Sequence, residues 1–102
     1  MSTEGCSDVL KALSDELRWR VVHTLLEREP EKVCELATRL AVPQPTMSKH
    51  LRVLRRAGII VSEKEGTVVW CRVAPEFRRR LKGKAILDLG CCTFRFDQPL
   101  RG

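Results

Sequence analysis

The sequence predicts a mainly α-helical fold with one small β-hairpin, an α+β class. The chain has 102 residues, which is about the length of one domain. Its apolar residues recur at helical spacing up to about position 57 and then alternate with period two from Ile59 to Val73. Hydrophobic residues make up 43% of the chain, which allows one small core. Together these observations favour a single helical domain that carries a hairpin.

The N-terminal third of the sequence predicts two helices. Ser7 can cap a short first helix, and Ser14 can begin a second one because two acids follow it in the first turn. Apolar residues from Leu17 to Leu26 cover much of the circumference of this second helix. A helix of that kind is usually central to a core.

Two more helices are predicted on either side of a short break. From Glu31 to Leu40, apolar residues fall at positions i, i+3, i+4 and i+7, which is typical of an amphipathic helix. After the break, Pro45 suits the first turn of a helix that Gly58 ends. Its front carries small polar and cationic side chains and no acid. A helical projection gives it an apolar back formed by Met47, Leu51 and Leu54.

The segment after Gly58 predicts a β-hairpin. Its strands are expected at Ile59–Glu63 and Thr67–Val73, with a turn at Lys64–Gly66. Helix, helix, short turn, basic helix and hairpin, in this order, indicate a winged helix-turn-helix domain. The major groove of DNA is about 12 Å wide and admits one α-helix. That helix needs an apolar back toward its scaffold and a polar front toward bases and phosphates, and residues 45–56 meet both requirements.

The last part of the chain is harder to interpret. Pro75 opens a predicted basic helix that contains Phe77 and Leu81. Gly83 weakens the prediction that this helix is continuous. From Ile86 onward the pattern is ambiguous, with apolar residues that alternate as on a strand.

The charge of the chain supports a polyanionic partner. The formal net charge is +6, yet residues 1–35 carry −3, residues 36–84 carry +9 and residues 85–102 are neutral. Such clustering favours an electrostatic footprint over an evenly solvated surface. We therefore predict double-stranded DNA as the partner, although an ordinary amphipathic surface helix is the alternative. The side chains expected to contact DNA are Gln44, Thr46, Ser48, Lys49, His50, Arg52, Arg56 and, on the hairpin, Lys64.

One motif is specific enough to carry a family resemblance. Residues Gln44–Leu54 read Gln-Pro-Thr-Met-Ser-Lys-His-Leu-Arg-Val-Leu, and Ala57-Gly58 follows. With Ala12–Arg18, Val33–Ala37 and Glu65–Gly66, the matching segments run in order through residues 12–73. This region, about three fifths of the chain, resembles the ArsR family of small bacterial winged-helix repressors.

The resemblance implies a homodimer that pairs through its N- and C-terminal helices. It also implies two recognition helices on a palindromic operator and release from DNA when an inducer binds. We accordingly divide the single domain into a helix-turn-helix at about 31–57, a wing at about 59–73 and a C-terminal dimer and sensor segment at about 75–98. The family often has Ser where this chain has Pro43 and Arg where it has Thr67, which leaves Lys64 as the main cation of the wing.

Cysteines are the candidate sensor of the inducer. The five thiols are an odd number, which argues against a disulfide framework. Arsenic-responsive members of the family often carry Cys-x-Cys in the helix before the turn, and here only the second position matches, at Cys34. The zinc and nickel sites of the family need histidines in the last helix, and none follows His50. The adjacent pair Cys91-Cys92 remains, and it can hold one large, soft ion.

We therefore predict that Cys91 and Cys92 bind As(III) or Sb(III) as the inducer, with no organic cofactor. A third thiolate would come from Cys34 or from Cys6, whereas Cys71 alternates with core residues. Two alternatives stay open. The pair could instead sense oxidant or sulfide through a disulfide or persulfide, or the chain could be a thiol enzyme or metal carrier. Redox motifs favour two intervening residues, which this pair lacks.

The sequence predicts a cytoplasmic regulator rather than an enzyme or a membrane protein. No apolar run approaches the roughly 20 residues of a membrane span. The start of the chain lacks the basic and then apolar pattern of a signal peptide. No paired carboxylates, nucleophile and base, or glycine-rich phosphate loop points to catalysis.

Overall fold

The computed structural model describes residues 3–82, 86–88 and 93–95, with side chains from 8 to 81. The helices are α1 (Thr3–Leu13), α2 (Glu16–Glu27), α3 (Val33–Arg39), α4 (Gln44–Arg56) and α5 (Pro75–Arg79). The strands are β1 (Glu31–Lys32), β2 (Ile60–Glu65), β3 (Val68–Val73), β4 (Leu81–Lys82), β5 (Ile86–Asp88) and β6 (Thr93–Arg95). The predicted fold class is confirmed, since helices dominate and β2 and β3 form the hairpin of a winged helix-turn-helix.

Helix α2 starts one residue later than predicted. Asp15, not Ser14, is its N-cap, because the Asp15 carboxylate accepts hydrogen bonds from the backbone N–H groups of Leu17 (2.9 Å) and Arg18 (3.1 Å). The Ser14 hydroxyl donates instead to the carbonyl of Lys11 at 2.7 Å. Helix α1 was also predicted too short, since it begins at Thr3, before the expected cap at Ser7.

The predicted helix at 31–40 begins in the structure as a strand. Glu31 and Lys32 form β1, which pairs antiparallel with Cys71 and Trp70 of β3. The three strands therefore lie in the order β1-β3-β2. Local periodicity missed β1 because its hydrogen-bond partners are about 40 residues away in the chain. The edge of the hairpin, rather than the local sequence, selects the extended conformation.

Helices α3 and α4 end in the same way. After α3, Ala41 adopts a positive φ of 57°, and the N–H of Val42 donates to the carbonyl of Ala37 at 2.9 Å. After α4, Gly58 has φ 76°, and the N–H of Ile59 donates to the carbonyl of Leu54 at 3.0 Å. Both are the Schellman arrangement that ends helices. The predicted stop at Gly58 is thus confirmed.

The turn of the hairpin lies further along the chain than predicted. Lys64 and Glu65 still pair with β3, opposite Val69 and Val68. The turn consists of Gly66 and Thr67, and Gly66 has a φ of 64°. Glycine is suited to this first central position because it adopts positive φ without strain.

One hydrophobic core holds the helices and the hairpin together. Its fully buried side chains come from α1, α2, α3, α4, both strands of the hairpin and the residue just before β2: Leu13, Val21, Val22, Leu25, Leu36, Met47, Leu51, Leu54, Ile59, Ile60 and Cys71. Glu29, just after α2, also ties the elements together. Its carboxylate accepts the N–H of Val73 at 2.7 Å and pairs with Arg78 of α5.

The predicted C-terminal helix is wrong in extent. Helix α5 has only five residues and includes Phe77, but Leu81 lies in a strand. Strands β4, β5 and β6 form a second antiparallel sheet in that order. Glycine at position 83 disfavours helix continuation. The predicted sensor pair Cys91-Cys92 lies outside the described residues, and the described segments before and after it, Ile86–Asp88 and Thr93–Arg95, are strands.

Within the part of the chain that the structure describes, no helix is long and apolar enough to cross a membrane.

Candidate nucleic-acid interface

Helix α4 presents a polar face on a rigid apolar support. Its buried residues are Met47, Leu51 and Leu54, as the helical projection predicted. Pro45 lies in the first turn, where the missing N–H costs no hydrogen bond. No side chain caps the start of the helix, and two arginines lie in its last turn. The apolar back thus leaves the opposite face of α4 turned toward solvent.

The predicted DNA-contacting residues of α4 are at the surface. Six of the seven are exposed, namely Gln44, Thr46, Ser48, Lys49, Arg52 and Arg56, and the structure gives none of the six a side-chain partner among the described residues. His50 is half-buried, on the flank of the helix. Side chains without internal partners are available to bases and phosphates. The arrangement can therefore place cations and small polar groups into a groove of DNA.

The wing carries Lys64 on one face and both of its glutamates, with Arg72, on the other. Lys64 is exposed and lies opposite Val69, whose side chain packs against the core. Glu63 and Glu65 alternate with it along β2, so they lie on the other face of the strand. Glu63 pairs with Arg72 across the hairpin. Lys64 is thus in a strand near the turn rather than in the turn itself.

A cleft separates the wing from α4 and the start of α3. Its volume is about 270 Å³, and its lining comes from these three elements and from β1: Lys32, Val33, Cys34, Gln44, Ser48, Leu51, Arg52, Arg55, Thr67, Val68 and Val69. The Arg55 guanidinium donates to the Ser62 hydroxyl at 3.2 Å, which links α4 to β2.

Sequence reasoning missed two of these cations. Arg55 is not among the predicted DNA contacts, and Lys32 falls within the helix predicted from Glu31 to Leu40. In the structure Lys32 lies in β1, with its ammonium 5.3 Å from the ring centre of Trp70. The helical projection could have pointed to Arg55, because it lies on the same side as Gln44 and Ser48. No local signal could have found Lys32.

The described cysteines differ in their surroundings. Cys34 is exposed on α3 and lines the cleft. Cys71 is fully buried in β3, where its sulfur lies 3.6 Å from the Ser62 hydroxyl. Burial raises the pKa of the Cys71 thiol, while the hydrogen bond with Ser62 and the positive charge of Arg55 act in the opposite direction. Cys71 is therefore a core thiol, as its alternation with Val69 and Val73 predicted, and its burial disfavours the thiolate.

The described residues do not assemble a complete metal site. Among them, no group of three or more His, Cys, Asp or Glu side chains could hold a metal ion. The predicted ligands Cys91 and Cys92, and the side chain of Cys6, lie outside the residues whose side chains are described. His23 is half-buried on α2, with its Nδ1 3.8 Å from a carboxylate oxygen of Glu27.

The sequence is similar to known bacterial and archaeal regulators. A family model described as "Bacterial regulatory protein, arsR family" matches residues 15–62. An uncharacterized HTH-type transcriptional regulator of Methanocaldococcus jannaschii is 39% identical over 64 residues, which are 63% of this chain and 72% of the relative. The arsenic resistance transcriptional regulator ArsR1 of Pseudomonas putida is 44% identical over 69 residues, or 67% of this chain and 53% of the relative. This chain thus spans about half the length of the Pseudomonas protein.

A further relative and a solved structure extend the similarity. The cadmium resistance transcriptional regulatory protein CadC of Listeria innocua is 32% identical over 88 residues, or 86% of this chain and 70% of the relative. The structure is a homodimeric winged helix-turn-helix DNA-binding domain from a possible ArsR-family regulator of Mycobacterium bovis. It is 27% identical, with a TM-score of 0.68 over 72% of this chain and 67% of that chain. The chain therefore belongs to the arsR family of bacterial regulatory proteins and is a winged helix-turn-helix transcriptional regulator.

Proposed function

We propose that this protein is a repressor that binds an operator in duplex DNA as a homodimer, with α4 as the recognition helix. One observation carries the proposal. Helix α4 buries three apolar residues and exposes a face of polar and cationic side chains without internal partners. A helix of this construction fits the major groove of DNA. Gln44, Thr46, Ser48, Lys49, His50, Arg52 and Arg56 are the proposed contacts of α4, with Lys64 from the wing.

A homodimer would place two such helices on a palindromic site. Half-sites about 34 Å apart match the repeat of the double helix, so each protomer can enter a successive major groove. The homodimeric domain from Mycobacterium bovis supports this proposal. We assign the dimer and sensor role to residues 75–98, with the helix-turn-helix at 31–57 and the wing at 59–73.

The salt dependence of DNA binding tests the repressor proposal. The probe is a duplex selected in vitro from random sequence, labelled for fluorescence anisotropy. We expect the logarithm of the affinity to fall linearly with the logarithm of the salt concentration, because each neutralised phosphate releases about 0.9 counterion. The selected duplex should also bind more tightly than a scrambled one. A flat salt dependence together with equal affinity for both duplexes would contradict the proposal.

For the inducer, we propose a thiophilic metalloid, As(III) or Sb(III), bound by Cys91, Cys92 and a third thiolate from Cys34 or Cys6. Adjacent thiols suit a large, soft ion, and thiolates are its preferred ligands. The exposure of Cys34 supports it as the third ligand. The Pseudomonas relative is named for arsenic resistance and the Listeria relative for cadmium resistance, so cadmium belongs in the test as well.

The cysteines are tested by release from the selected duplex. The variants are the double substitution Cys91→Ser with Cys92→Ser, and the single substitutions Cys34→Ser and Cys6→Ser. We expect arsenite to release the wild-type protein but not the double variant, while both bind DNA equally without arsenite. Of the single variants Cys34→Ser and Cys6→Ser, only one should lose most of its release by arsenite. Full release of the double variant by arsenite would contradict the assignment. Release by peroxide or polysulfide alone, reversed by a thiol reductant, would favour the oxidant or sulfide sensor.

A further inference from the structure

The cleft between the wing and α4 adjoins the face of α4 that is proposed to read DNA. On a helical projection from Met47, the lining residues Gln44, Ser48, Arg52 and Arg55 lie between about 60° and 140°, and the front is centred near 180°. Gln44, Ser48 and Arg52 are both proposed DNA contacts and lining residues of the cleft. A DNA strand that passes along the front of α4 would therefore run past the mouth of this cleft.

The lining of the cleft has the chemistry of an anion site. Its lining includes three basic residues, Lys32, Arg52 and Arg55, but no carboxylate among the described residues. The Lys32 ammonium lies over the Trp70 ring, 5.3 Å from its centre, so it would turn from that ring to reach a phosphate in the cleft. The two other described cavities differ in this respect, since Glu63 and Glu65 line one of them and Asp8 lines the other. Hydroxyl and amide groups from Ser48, Thr67 and Gln44 add hydrogen-bond donors to the cationic cleft.

The cleft has room for a small anion, since its volume is about 270 Å³. A phosphate group with part of a sugar is smaller than the drug-sized ligands that pockets of roughly 300–1,000 Å³ hold. Arginine and lysine are also the side chains that proteins use most for phosphate.

We propose that this cleft is a phosphate-binding site, with Lys32 and Arg55 as binding residues that join Arg52 around one phosphate group. On the operator, the occupant is a phosphate of the DNA backbone beside the groove that α4 enters. This inference rests on the proposed repressor function. It adds two DNA contacts, Lys32 and Arg55, that lie outside the front of α4. Lys32 belongs to β1, which precedes the first helix of the helix-turn-helix. Cys34 lies in the wall of the same cleft, so any bulky group bound to its sulfur would compete with the phosphate for space.

Neutral substitutions test the two binding residues. The variants are Lys32→Gln and Arg55→Gln, and Arg20→Gln is the control because Arg20 is an exposed cation of α2 outside the cleft. We expect each cleft variant to bind the selected duplex about tenfold more weakly at 150 mM salt. The slope of log affinity against log salt should become shallower by about one unit per protomer bound. The Arg20→Gln variant should change affinity less than twofold.

A second control separates phosphate binding from a structural role of Arg55. Ser62→Ala removes the hydrogen bond from Arg55 to β2 without removing the charge. We expect this variant to keep the salt slope of the wild-type protein. If Ser62→Ala reproduces the effect of Arg55→Gln, Arg55 acts through the wing and the inference is wrong. It is equally wrong if the cleft variants and Arg20→Gln lose the same affinity, because general electrostatics then explain the loss.

The source of the phosphate is distinguished with inorganic pyrophosphate as the probe. Calorimetry without DNA measures the binding of pyrophosphate to the protein. A second measurement compares how well pyrophosphate and chloride, at equal ionic strength, displace the duplex from the protein. Pyrophosphate binding that is lost in the Lys32→Gln variant identifies a site that also takes free phosphate anions. Cleft variants that lose DNA affinity without any pyrophosphate binding identify a site for DNA phosphate alone. If the wild-type protein binds no duplex, the repressor proposal fails. Pyrophosphate binding then still tests whether the cleft is a phosphate-binding site.

Alkylation of Cys34 gives an independent readout. In a variant with Cys6→Ser, Cys91→Ser and Cys92→Ser, N-ethylmaleimide should react at the exposed Cys34 and leave the buried Cys71 unmodified. We expect the adduct to lower DNA affinity at least tenfold, because it fills the cleft. Unchanged affinity after complete modification, verified by mass spectrometry, would overturn the inference.

Discussion

Replacing Arg52 by glutamate should lower the affinity for the selected duplex by about a hundredfold. Arg52 is exposed on the front of α4 and also lines the cleft, so its substitution affects both proposed contact surfaces. Loss of one good contact to a base or phosphate costs about 1–3 kcal/mol, and the new carboxylate repels the nearest phosphate. In a homodimer both the lost contact and the new repulsion occur once in each protomer. Anisotropy at 150 mM salt measures the change.

The control for Arg52→Glu is Arg20→Glu, which makes the same change of charge on the exposed surface of α2. We expect the control to lose less than tenfold, and far-ultraviolet circular dichroism should be unchanged in both variants. Equal losses in the two variants would mean that net charge alone governs binding. If Arg52→Glu lowers the affinity for the duplex less than threefold, Arg52 is not a DNA contact.

Replacing Leu54 by alanine should lower the free energy of unfolding by about 3 kcal/mol. Leu54 is fully buried on the back of α4, where its side chain is part of the hydrophobic core. Truncation leaves a cavity as well as losing apolar burial, and such changes cost about 2–5 kcal/mol. Because single domains have only about 5–15 kcal/mol of stability, this variant should unfold at a much lower urea concentration.

Val53→Ala supplies the matched control on the same helix. Val53 is 38% exposed, although Leu54 next to it is fully buried. We expect Val53→Ala to cost less than about 1 kcal/mol, because little apolar surface is lost and no closed cavity forms. Equilibrium urea unfolding followed by circular dichroism measures both values. Similar losses for the two variants would contradict the burial of only one face of α4.

Much of the fold could be predicted because local physical chemistry specifies it. The stop at Gly58 follows from its positive φ, which glycine adopts without strain. The orientation of α4 follows from the spacing of Met47, Leu51 and Leu54, which repeats once per turn. The hairpin follows from alternation with period two. In each of these cases the determining contacts lie within a few residues of one another.

The incorrect predictions involve choices between local alternatives. Ser14 and Asp15 are both good N-caps, and only the structure shows that the Asp15 carboxylate accepts the two backbone N–H groups. Similarly, the basic stretch after Pro75 has helical composition, yet the helix has only five residues before the chain enters a strand. Pairing with β5 competes with helix continuation, and composition does not report that competition.

By itself, the sequence determined helices α1 to α4, the hairpin of β2 and β3 and the face that α4 exposes, because periodicity and helix ends are local properties. Only the tertiary structure decided which distant residues share a surface. Lys32 and Arg55 are separated by 22 residues, yet both line the cleft because β1 pairs with β3 and Arg55 reaches β2. Hydrogen bonds between segments far apart in the chain create that proximity. Local periodicity in the sequence does not predict them.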